Sequence, residues 1–113
     1  TVGQNLLIGG SGNDRFSAGA GSDTMTGSGG TDLYVFFASA TSVNAAGAHD
    51  YITDWTSNDT LAVLGYDPNQ SSSANLLANA TINGSGVTLT LSDKTEITFT
   101  NLHRTSALNN RII

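Results

Sequence analysis

The sequence predicts an all-β chain, with turns and short strands repeated over residues 1–36 and a cap with antiparallel strands over 37–113, packed as parts of one compact domain. Three observations predict it. Gly accounts for 13 of 113 residues and Pro for 1, with Ser, Thr and Asn filling much of the rest, so turns are frequent and long helices disfavoured. A nine-residue pattern runs from Gly3 to Val35. Near the end, Val87 to Phe99 alternates apolar and polar residues as hairpin strands do.

The repeat has three columns. Gly recurs at Gly3, Gly12, Gly21 and Gly30. Two places on stands an acid or its amide, Asn5, Asp14, Asp23 and Asp32, and two further a large apolar residue, Leu7, Phe16, Met25 and Tyr34. Small residues head the blocks at Gly9-Gly10, Ala18-Gly19 and Gly27-Ser28. The residues after each Asp alternate polar, apolar, polar, as in a short strand with one side chain facing inward. A turn plus a strand in each block makes two blocks one coil of a solenoid. Leu7 then stacks on Met25 in one sheet, and Phe16 on Tyr34 in the other.

Glycines at this spacing let the backbone turn so that carbonyl oxygens converge, and the following carboxylate adds charge. Gly10, Gly12, Gly19, Gly21, Ser28 and Gly30 form the turns, and Asn5, Asp14, Asp23 and Asp32 supply side-chain oxygens. Turns on one edge recur every second block, which pairs Asp14 with Asp32 and Asn5 with Asp23, the second pair being weaker because Asn5 is neutral. An oxygen-only set suits calcium, which accepts six to eight oxygen ligands in flexible geometry. With no Cys and only His49 and His103, zinc has little to hold it.

These residues resemble the nonapeptide G-G-x-G-x-D-x-U-x of RTX proteins, most clearly over residues 9–35. The resemblance implies a parallel β-roll with calcium along both edges. It also implies a module of a longer secreted Gram-negative protein, exported by type I secretion machinery through an uncleaved C-terminal signal. The first residues, Thr1 to Asn5, lack the basic and apolar parts of a cleavable signal peptide, so either the chain is a fragment or export uses another route.

After Phe37 the repeat gives way to a small, polar stretch, Ala38 to Ala48, read as a loop. His49 to Leu61 then resembles the D-x-I-x-D-F-x-x-G-x-D-x-I segment that caps such rolls, matching at Asp50, Ile52, Asp54 and Trp55. It runs one residue shorter beyond Trp55, and Ala62 replaces an expected acid. Asp50 and Asp54 either complete a last calcium site or accept hydrogen bonds from turn amides. Ile52 and Trp55 read as core residues closing the open end, in preference to a sugar platform formed with Tyr51 and Tyr66. Asp67 to Ser73 reads as a polar loop before Leu76-Leu77-Ala78. In the final hairpin, a loop at Asp93-Lys94-Thr95 sets Leu91 opposite Ile97 and Leu89 opposite Phe99, with Lys94 where Gly would turn more easily.

Nine acids against four bases, a net charge of −5, disfavour nucleic acid. There is no apolar run long enough for a membrane span. No G-x-S-x-G, H-E-x-x-H or phosphate loop occurs, so the expectation is a non-catalytic module whose folding depends on calcium. The alternative is an adhesin end domain or an appendage that binds neutral glycans or a cell surface for an upstream enzyme.

Overall fold

The computed structural model describes residues 4–18, 21–37, 49–64, 73–91 and 94–113. Gly19, the Ala38 to Ala48 stretch, Tyr66, Asp67 to Ser72 and Asp93 lie outside the described residues. The described elements are all-β in character. Nine strands, β1 (Leu6–Ile8), β2 (Arg15–Ala18), β3 (Thr24–Thr26), β4 (Leu33–Phe37), β5 (His49–Ile52), β6 (Thr60–Leu64), β7 (Thr81–Asn83), β8 (Gly86–Thr90) and β9 (Glu96–Phe99), accompany one short helix, α1 (Ser73–Ala78), and a 3₁₀ turn at Thr105–Leu108.

Strands β1 to β6 alternate between two sheets, and β7, β8 and β9 all join the first. The larger has the order β1-β3-β5-β9-β8-β7, and the smaller β2-β4-β6. Pairings among β1, β3, β5 and β9 are parallel, as are those among β2, β4 and β6, whereas β8 runs antiparallel to both β9 and β7. The larger sheet is therefore mixed. Leu7 pairs with Met25 and Phe16 with Tyr34, as the repeat requires. The same columns continue into the cap, through Met25 to Ile52 and Phe99 in one sheet and through Tyr34 to Leu61 in the other.

One cluster of buried side chains joins repeats and cap. Phe16 stacks on Tyr34 at 5.1 Å, Tyr34 meets Trp55 at 5.9 Å, and Trp55 meets Phe99 edge-on at 5.1 Å. Offset and edge-to-face aromatic pairs add to the burial energy itself. Trp55 fulfils its expected core role: it is 2% exposed, and its indole N–H donates to the Ala107 carbonyl at 3.2 Å. Asn101 fixes the same turn, accepting from the Trp55 amide and donating to its carbonyl.

The hairpin register differs from the expectation by two residues. Val87 faces Phe99 and Leu89 faces Ile97, while Leu91 lies level with Thr95. The turn closes on itself, Lys94 donating to the Leu91 carbonyl and Leu91 to Thr95. Lys94 adopts φ 70°, the left-handed conformation that the residue type disfavours. A slip of two preserves which side chains face inward, so the buried set is unchanged.

The cap extends both sheets. β9 covers β5, and residues 111–113 run along β6 through a parallel Leu61–Ile112 bridge, with Ile113 donating to the Leu61 carbonyl at 2.8 Å. At the opposite end β1 and β2 are the edge strands of their sheets, with Leu6 and Ile8 exposed.

Candidate metal centre

Each repeat Asp stands just before a strand, where the chain leaves a turn, and from Asp23 on its carboxylate reaches toward the equivalent residue one coil earlier. On one edge Asp14 N–H donates to Asp32 Oδ1 at 2.9 Å, and Asp32 N–H donates to Asp59 Oδ1 at 2.9 Å. On the other, Asn5 N–H donates to Asp23 Oδ1 at 3.0 Å, and Asp23 N–H to Asp50 Oδ1 at 2.7 Å. The two edges thus carry ladders of side chain on main chain. The expected pairings Asp14 with Asp32 and Asn5 with Asp23 are brought together, eighteen residues apart. The Asn5 side chain also meets its partner through nitrogen, Nδ2 donating to Asp23 Oδ1 at 3.1 Å.

Asp50 and Asp54 both accept turn amides. Asp50 takes that of Asp23, and Asp54 takes those of Gly27 and Ser28 at 2.9 and 2.7 Å. Asp59, absent from the sequence-derived set, closes the ladder of Asp14 and Asp32 and also accepts from Thr56 N–H at 2.9 Å. A signal for it exists in the chain. Asp50-Tyr51-Ile52 and Asp59-Thr60-Leu61 repeat the acid, spacer, apolar triplet of Asp14-Arg15-Phe16, in the same nine-residue phase with one beat skipped.

The turns use their glycines unequally. Left-handed backbone occurs at Gly21, Ser28 and Gly30, whereas Gly10 and Gly12 are not among the positive-φ residues. The first turn closes instead by Gly10 N–H donating to Asp14 Oδ2 at 2.9 Å. Gly30 has both φ 88° and a close neighbour, since a Cβ there would fall 2.3 Å from the Gly12 carbonyl oxygen. At Gly27 a Cβ would strike Asp32 Oδ2 and the Tyr34 hydroxyl, so a bare backbone is what lets that carboxylate fold beneath the turn.

Burial sets the electrostatics. Asp23, Asp32, Asp50 and Asp59 are all buried. Asp32 is pushed above the usual carboxylate range first by desolvation and then by the charges of Asp59, Asp14 and Asp54, against the pull of the Asp14 amide. Asp50 is raised to about 7, mainly by burial, with the Asp23 amide opposing and the Asp23 charge adding. Asp32 Oδ2 and Asp50 Oδ2 are buried without a hydrogen-bond partner. An unpaired buried carboxylate oxygen is costly and favours a proton or a cation.

The donors fit a hard cation: carboxylates with spare oxygens beside stacked turns, where Gly29 lies over Ser11 and Gly30 over the Gly12 carbonyl. Among the described residues no three acidic or His side chains converge on one point, so main-chain carbonyls would have to complete any coordination shell.

Comparison with known families agrees with this chemistry. Residues 1–34 match the model of the RTX calcium-binding nonapeptide repeat, in four copies. The chain carries calcium-binding repeats of a kind typical of secreted proteins, and calcium is the ion that family binds. No curated protein matches the chain. Among the described residues no helix is long and apolar enough to cross a membrane.

Proposed function

We propose that this chain is a non-catalytic module, a parallel β-roll of repeats closed by its cap, that folds when it binds calcium and stabilises the secreted protein of which it is part. The observation that carries this reading is the pair of unpartnered, buried oxygens, Asp32 Oδ2 and Asp50 Oδ2, in ladders of closely spaced carboxylates. Without a cation these groups repel and are desolvated, while a chain with 13 Gly loses much entropy on ordering. Calcium offsets both, so its binding energy becomes folding energy.

The residues proposed to hold calcium are Asp14, Asp23, Asp32, Asp50 and Asp54, with Asn5 and carbonyls of the turns at Gly10, Gly12, Gly19, Gly21, Ser28 and Gly30. Bound calcium supplies charge neutralisation and a link between successive coils. Extracellular modules commonly bind with Kd on the order of 10⁻⁴ to 10⁻³ M. Such a segment stays unfolded in a low-calcium cytoplasm, passes type I export machinery, and folds outside a Gram-negative cell. Equilibrium dialysis tests the ligand assignment: the double variant Asp14→Ala, Asp32→Ala should bind fewer calcium ions than the parent, and unchanged stoichiometry would overturn it.

A further inference from the structure

Strand alternation places a polar surface on the outer face of the larger sheet. Along β9 Ile97 and Phe99 are buried, so Glu96 and Thr98 point the other way. Their partners in register are His49 and Tyr51 on β5 and Thr88 on β8. With Asn83 near the β7–β8 turn these side chains line a cavity of about 190 Å³. We propose that this cleft binds one neutral sugar residue, with Tyr51 as the ring wall and Glu96, Asn83 and the threonine hydroxyls as hydrogen-bonding partners.

The groups are held in place before any ligand arrives. The His49 and Tyr51 rings stack at 4.4 Å with planes 14° apart, both half-buried. His49 Nε2 meets Thr98 Oγ1 at 2.6 Å, and Thr98 Oγ1 meets Thr88 Oγ1 at 2.7 Å. Thr98 is 1% exposed, so this chain of polar groups forms a fixed floor beneath the cleft. These contacts occupy the buried Thr98 hydroxyl, and the exposed hydroxyl residues of the lining, Thr81 and Ser85, are the ones a ligand can reach. Glu96 stands at the rim, 43% exposed, with Oε1 3.5 Å from His49 Nδ1, and presents its carboxylate to ligand hydroxyls.

The lining selects the class of ligand. It contains a carboxylate and no Lys or Arg, on a chain of net charge −5, so sugar acids and phosphates are repelled. It contains no aliphatic side chain apart from threonine methyls, so a lipid tail has nothing to bury against. Among the described residues it lacks a third metal-ligating group. The volume slightly exceeds the ~150 Å³ known to admit a six-membered ring. The site lies on a sheet face while the aspartate ladders lie on the turn edges, so sugar and calcium occupy separate places.

The test is an amide-resolved NMR titration of the calcium-loaded full chain with glucose, galactose, mannose and N-acetylglucosamine, with glucuronate as the charged comparator. At least one neutral sugar should shift the amides of Tyr51, Thr88 and Thr98 with Kd on the order of 1 mM. Glu96→Gln and Asn83→Ala should each weaken that binding about tenfold while calcium stoichiometry and strand content stay as in the parent. Three results would overturn the proposal: no neutral sugar shifting these amides, glucuronate binding as tightly as glucose, or both variants binding like the parent.

Discussion

The main-chain N–H of Asp32 donates to Asp59 Oδ1 at 2.9 Å, while Asp32 Oδ1 accepts from the N–H of Asp14 at the same distance. One residue thus ties three coils together and still has Oδ2 unpartnered. The side chain needed for a cation is also the side chain that aligns the backbone, and the two roles can be separated by substitution.

Asp50 offers the cleanest separation. Asp50→Asn keeps an oxygen for the Asp23 amide, whereas Asp50→Ala leaves that buried amide without it. In saturating calcium, Asp50→Asn should be more stable than Asp50→Ala by about 2 kcal/mol. Urea denaturation measures the difference, and equal stabilities would mean that the Asp23 contact carries no weight.

A second consequence concerns pH. The Asp50 carboxyl is raised from 3.8 to about 7 in the folded chain, and Asp32 is raised as well. Between those values the folded state holds protons that the unfolded state has released, so calcium-free stability must fall as pH rises. Without calcium the residual strand signal in far-UV circular dichroism should be larger near about pH 5 than near about pH 8. With saturating calcium the melting temperature should instead be lower near about pH 5 than near about pH 8, because protons compete with the ion for the same oxygens.

Two glycines of the same sequence column should respond differently. Gly30→Ala forces a Cβ to within 2.3 Å of the Gly12 carbonyl at φ 88°, and should cost about 2 kcal/mol or more. Gly12→Ala meets no atom within 4 Å and should change stability by less than about 0.5 kcal/mol. Thermal melts in calcium would distinguish them, and equal losses would contradict the stacking of the two turns.

Phe16 lies on the edge strand β2 yet is 7% exposed and stacked on Tyr34. Phe16→Ala should cost about 3 kcal/mol, and a loss below about 1 kcal/mol would show that it does not support the core.

The repeat half of this architecture was legible because each block states its own geometry: Asp14, Asp23 and Asp32 mark turn exits, and Phe16, Met25 and Tyr34 mark the inward side. The cap was legible only where residue chemistry was distinctive, as at Trp55 and in the alternation of Val87 and Leu89. Asp59 escaped notice because the loop before His49 hides the phase it shares with Asp32. β7 carries only three residues, all exposed, so no buried face announces it. The polar cleft at Tyr51 depends on which strand follows β5 in the sheet, and the neighbour is β9, more than forty residues on. No local pattern records such a pairing.

The dependence of the fold on calcium is tested most directly by far-UV circular dichroism of chelator-stripped protein titrated with calcium, with magnesium as control. Strand signal should appear with calcium and not with magnesium. A chain equally rich in strand without calcium would contradict the account, because the hydrogen-bonded ladders of Asp32 and Asp50 would then hold the coils together unaided.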